Sequence, residues 1–84
     1  MEVFFFTFRS VTSAMRAQQL LSEASIGSGV VRTPGPLRKQ GCGYSLRVAQ
    51  ELYARARELL RRERLPFQRI YRRRGAEPWQ EVRP

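Results

Sequence analysis

One side chain in this 84-residue sequence has the nucleophilic capacity for covalent chemistry: Cys42, the single cysteine, set between Gly41 and Gly43. Arg38 and Lys39 precede it by four and three residues. The reactive form is the thiolate, and cationic neighbours raise its fraction. Glycines on both sides leave the backbone unshielded, and successive N–H groups there can curl into an anion-holding nest. The same features would suit a persulfide or selenide on the sulfur, both anionic near neutral pH. A thiol without a resolving partner is suited to holding one atom and passing it on. The plainer reading is that a lone cysteine in a small domain is an inert, small apolar residue.

What is absent narrows the chemistry further. The sequence has no histidine and no aspartate, so neither a Ser-His-Asp nor a Cys-His arrangement can be assembled, and no acidic residues are paired at a catalytic spacing. A zinc site lacks its usual ligands, and no Gly-x-x-x-x-Gly-Lys loop is present to cradle phosphates. No metal or cofactor is expected. The residues point to a carrier or accessory protein more than to a stand-alone enzyme.

Fifteen arginines and one lysine against seven glutamates give a formal net charge of +9, which favours anionic partners such as nucleic acid, an acidic protein face or small anions. Val3-Phe4-Phe5-Phe6 is too short to span a bilayer, and Met1-Glu2 lacks the basic start of a signal peptide. With one cysteine, the chain reads as a reduced, cytoplasmic protein. A chain of this length buries about 60–65% of its unfolded surface and makes one small domain with a thin core.

The elements that must position Cys42 follow from the pattern. Residues 2–9 are aromatic-rich and apolar on both faces, predicting a central strand covered on each side. A helix follows, capped by Ser10 or Thr12, with Ala14, Ala17, Leu20, Leu21 and Ala24 at helical spacing and residues 25–29 ending it. Val30 to Arg32 is a second strand, and Thr33-Pro34-Gly35-Pro36 opens a turn-rich loop to Cys42. Tyr44 to Val48 alternates as a third strand. A second helix over Ala49 to Arg64 buries Leu52, Ala56, Leu59 and Leu60 and stops at Pro66, and Phe67 to Arg72 makes the last strand. This order predicts an α+β, ferredoxin-like βαββαβ domain over residues 1–73, a four-stranded antiparallel sheet with two helices on one face. Residues 74–84 are expected to be a mobile tail with Trp79 as its anchor. One row of the first strand, Phe4-Phe6-Phe8 or Val3-Phe5, must then face an uncovered side, so a homodimer or coverage by the tail is expected.

Phe5-Phe6-Thr7-Phe8, then Ala17 and Leu20-Leu21 on the first helix, then Thr33-Pro34 and Cys42-Gly43 before a strand, resemble the small bacterial selenium/sulfur carrier-like family over residues 3 to about 72. The chain departs from that pattern in having Gly41 where a serine is common, and Gln18 or Gln19 where an acidic residue is common. The resemblance implies that Cys42 accepts sulfur or selenium from a donor protein as a persulfide or selenosulfide and passes it to an acceptor. Gly41, Gly43, Arg38 and Lys39 would support it.

The second reading is a nucleic-acid-binding module. RNA-recognition domains share this element order and stack bases on an open sheet face, and residues 40–47 have the glycine spacing of their central signature. Gln40, Cys42 and Arg47 stand where a basic residue and two aromatics belong. A third is an interaction subunit working through its sheet face alone.

Overall fold

The computed structural model describes residues 2–38 and 43–83. In chain order the elements are β1 (Glu2–Thr7), α1 (Val11–Glu23), β2 (Gly29–Arg32), a 3-10 turn (Gly35–Leu37), β3 (Tyr44–Ala49), α2 (Gln50–Arg62), β4 (Ile70–Arg74) and β5 (Gln80–Val82). They form an α+β domain whose sheet runs β2-β3-β1-β4-β5 with every pairing antiparallel.

The aromatic first strand takes the middle of this sheet because both of its faces need cover. Phe4, Phe6 and Phe8 point to the helix side, where they join Leu46, Val48 and Ile70 from the neighbouring strands and Ala14, Ala17, Leu21, Ala56 and Leu60 from the two helices in one core. The alanines let both helices lie close to the sheet, and α1 and α2 also pack on each other. Tyr53 of α2 stacks on Phe4 with ring centroids 3.9 Å apart.

Both helices end in a left-handed residue that is not glycine. Ser25 has φ 61 and Arg64 has φ 57, and in each case the next amide reaches back to close the last turn, Ile26 N–H to the Leu21 carbonyl and Leu65 N–H to the Leu60 carbonyl. Ser10 caps α1 by accepting from the Ser13 N–H at 3.2 Å.

Three expectations are corrected. The sheet has five strands, not four, because residues 80–82 pair with β4, opposite Ile70, Tyr71 and Arg72. Residues 74–84, expected as a mobile tail, thus supply an edge strand: Gly75 at φ 56 and the Glu77 N–H bonded to the Arg74 carbonyl turn the chain back. The fourth strand begins later than expected, at Ile70, because Gln68 and Arg69 both hydrogen-bond to Thr7 and interrupt the regular ladder, while Phe67 before them meets Phe6 edge-on at 5.2 Å. The face away from the helices is partly covered by residues of 74–84, one of the two outcomes expected for it. Trp79 packs edge-on against Phe5 at 4.8 Å, leaving Phe5 and Tyr71 only 7% and 6% exposed. No helix among the described residues is long and apolar enough to cross a membrane.

Phe6→Ala removes a side chain buried at the centre of the helix-side core and is expected to cost about 3–5 kcal/mol in urea unfolding. Trp79→Ala should cost less, about 1–3 kcal/mol, with a distinct signature: hydrogen-exchange protection falls first at the β5 amides. Unchanged protection there would show that Trp79 does not hold the fifth strand.

Candidate functional site

The loop that carries Cys42 leaves the sheet at the end of β2 and returns at the start of β3. Arg32 sits opposite Tyr44 in the ladder, and the Thr33 N–H donates to the Gly43 carbonyl at 2.8 Å, so the two strands stay paired one step beyond their formal ends. The Thr33 and Ser45 hydroxyls, both buried, hydrogen-bond to each other across the same place. A buried hydroxyl pair satisfied in this way is costly to break from one side, because the survivor loses its partner without regaining water.

From Thr33 the chain is shaped by its prolines. Pro34 starts the turn, and the Leu37 and Arg38 amides donate back to the Pro34 and Gly35 carbonyls at 2.9 and 3.1 Å. Leu37 is thereby buried on the side of the sheet away from the helices, where it lines a cleft of about 500 Å³ with Pro36, Tyr71, Pro78, Trp79 and Glu81. The segment before the cysteine is therefore anchored to the sheet by an apolar contact as well as by the ladder.

Two of the expected supporting residues come together here. Arg38 extends its guanidinium back along the loop and donates to the Thr33 carbonyl at 3.3 Å. Its Nε lies 3.8 Å from the place where a Cβ on Gly43 would be. The cation is thus held beside the backbone of the residue that follows Cys42. Gly43 itself has φ +83, a conformation that costs residues with a Cβ about 1–2 kcal/mol. Gly41, Cys42 and Lys39, the other members of the expected site, lie outside the described residues. Next to Gly43, Tyr44 lies under the Arg32 guanidinium, 5.8 Å from the ring centroid.

With this frame in place, the comparison with known families is decisive: the family described as "Putative Se/S carrier protein-like" matches residues 4–72. The chain belongs to that family. The match runs from the first strand to β4 and includes Cys42, while β5 falls beyond it. No curated protein and no solved structure matches the chain.

Reading the residues alone missed two features of this region, the Thr33–Ser45 hydroxyl pair and the fifth strand. The Thr33–Ser45 pair leaves no trace in the spacing, since it depends on the β2–β3 register. Gly75 and Pro78 mark the turn that precedes the fifth strand, but the strand itself carries no apolar pattern. The stacking surface that a nucleic-acid module would use on the sheet is taken up by the chain itself, as Trp79 occupies Phe5 and the Arg73 guanidinium lies 5.3 Å over the Trp79 ring.

Gly43→Ala is expected to destabilise the protein by about 1–2 kcal/mol through its positive φ. Gly35→Ala, whose added Cβ would meet nothing within 4 Å, should change stability by less than about 0.5 kcal/mol. Equal effects in thermal or urea unfolding would show that the left-handed conformation at Gly43 is not needed.

Proposed function

We propose that this protein is a carrier that holds one sulfur or selenium atom on Cys42, as a persulfide or selenosulfide, and hands it to an acceptor protein. The observation that carries this reading is the family match, which spans the sole cysteine of the sequence. The βαββαβ order, with strands arranged β2-β3-β1-β4 and β5 added at the edge, supports reading the domain as a ferredoxin-like frame extended by one strand.

Loading is a displacement at sulfur. The Cys42 thiolate attacks the outer sulfur of a donor persulfide, the donor's S–S bond breaks, and the donor leaves as a thiolate. Delivery is the same step reversed in direction: an acceptor nucleophile attacks the carried atom and Cys42 departs as thiolate. Neither step changes the overall electron count, so no redox cofactor is required. With no second cysteine in the sequence, the loaded sulfur cannot be displaced as an internal disulfide and persists until an acceptor arrives.

Arg38 is the described residue placed to help. Held by the Thr33 carbonyl beside Gly43, its permanent charge would stabilise an anion on the neighbouring residue both before loading, as thiolate, and after it, as persulfide. Lys39 would add to the same field.

Incubation with a persulfide donor, followed by intact-mass measurement, should show the gain of one sulfur atom, reversed by mild reduction and absent from Cys42→Ser. Arg38→Gln should alkylate roughly two- to tenfold more slowly near neutral pH while remaining folded. No mass gain in the unsubstituted protein, or an equal gain in Cys42→Ser, would overturn the carrier reading.

A further inference from the structure

The charge of this chain is not spread evenly over it, and the antiparallel order shows where it collects. β1 ends, β2 ends, β3 begins and β4 begins at one end of the sheet, since Thr7 pairs with Ser45, Arg32 with Tyr44, and Phe6 with Ile70. The same end receives the start of α1 and the finish of α2. Arg9 lies at the turn into α1, Arg32 and Arg38 stand on either side of the turn out of β2, and Arg61, Arg62 and Arg64 crowd the last turn and cap of α2. All six are exposed, and Glu63 is the carboxylate interspersed among them. Arg69, at the same end, is already matched to Glu81 at 3.1 Å.

The opposite end is different. It gathers Glu2 at the start of β1, Glu23 at the close of α1, Glu51 in the first turn of α2 and Glu77 in the β4–β5 turn, interleaved with Arg72, Arg73 and Arg74 at the close of β4, so that its charges largely offset one another. Among the described residues the ion pairs are Arg69–Glu81 and Arg74–Glu2, so none of the six arginines is neutralised by a carboxylate partner. The domain is electrically polarised along its strands.

We infer that the arginine-rich end of the sheet binds the phosphate backbone of a nucleic-acid duplex. Three observations favour this over an acidic protein. The cations come from separate elements, the turn into α1, the β2–β3 connection and the end of α2, which matches an extended, closely spaced row of anions better than a few carboxylates. Protein interfaces are built round an apolar centre depleted in charge, whereas the large apolar side chains exposed at this end are Val11 and Tyr44, at only 38% and 36%. The start of α1 also faces this way with no acidic residue in its first turn, adding partial positive charge. Guanidinium groups bind phosphate oxygens in a fork. The contacts are to backbone, so no base sequence is selected. Nor does this binding require Cys42 to be loaded or even present.

Fluorescence anisotropy of the full chain with a labelled duplex of about 16–20 base pairs, titrated between about 50 and 200 mM salt, tests it. Affinity should fall steeply and linearly on a log–log plot. Arg61→Gln/Arg62→Gln/Arg64→Gln should reduce the slope by about 2–3. Arg16→Gln/Arg47→Gln/Arg55→Gln, which removes the same charge from the middle of the domain, should leave the slope within about 1 of the unsubstituted value. Circular dichroism would verify that both variants fold, and Cys42→Ser should bind as the parent does. Absent binding at low salt, or an equal loss in both triple variants, would overturn the proposal. So would displacement by polyglutamate as effective, charge for charge, as displacement by unlabelled duplex, which would assign the surface to an acidic protein.

Discussion

The fold depends on a strand that cannot be left bare on either side. β1 places Phe4, Phe6 and Phe8 on one face and Phe5 on the other, and large aromatics left in water would forfeit on the order of 2–3 kcal/mol each. Two helices cover the first row. The second row is too narrow for another helix layer in 84 residues, and it is covered instead by pieces of connecting chain: Trp79 before β5, with Leu37 from the β2–β3 connection buried on the same side. The connection that carries Cys42 is therefore recruited into the core at one of its ends. Burial of Leu37 is what ties the chemistry of the loop to the stability of the sheet.

That coupling gives the site its frame. A connection running from residue 33 to residue 43 would be expected to drift, yet its two ends are joined by the Thr33–Gly43 hydrogen bond and by the Thr33–Ser45 hydroxyl pair. Arg38 turns back to the Thr33 carbonyl instead of extending into water. That hydrogen bond biases the guanidinium toward the backbone of Gly43, and ordering a side chain in the fold lowers the entropy cost of placing it beside an anion. A lysine on the same stem would give a point charge without the fork that allows one nitrogen to hold the carbonyl while others remain available.

How much of this was legible in the residues can be judged element by element. β1, both helices and β3 announce themselves through long or strongly periodic patterns, and Ser10 marks the start of α1 by the chemistry of its hydroxyl. β5 does not, because Gln80-Glu81-Val82 holds a single apolar residue and is a strand only by virtue of the partner it finds in β4. The late start of β4 has a similar origin: Phe67 has the same β-forming character as its neighbours, but Gln68 and Arg69 share Thr7 as their partner and break the regular ladder, and Phe67 packs on Phe6. Ser25 and Arg64 occupy positions that glycine would fill at less cost, so a search for glycine stops finds neither. At the site, the residue types could be named from the sequence, but the closeness of Arg38 to Gly43 is a consequence of register, which no local pattern contains.

Arginine placement links the two proposed activities. The field that favours an anion near Gly43 has Arg38 as its nearest described source and the arginines of the same sheet end as its background, and a docked phosphate backbone would neutralise part of that background. Linkage then requires reciprocity: whatever lowers the cost of carrying an anion on Cys42 in the free protein is weakened when polyanion is bound, and a loaded, negatively charged Cys42 must weaken polyanion binding by the same factor. The sign is fixed by Coulomb's law and the size by distance and screening, with interactions beyond about 8–10 Å largely lost at physiological salt. Arg38, held by a backbone carbonyl rather than by a carboxylate, is the contributor among the described residues that both ligands would contest at short range.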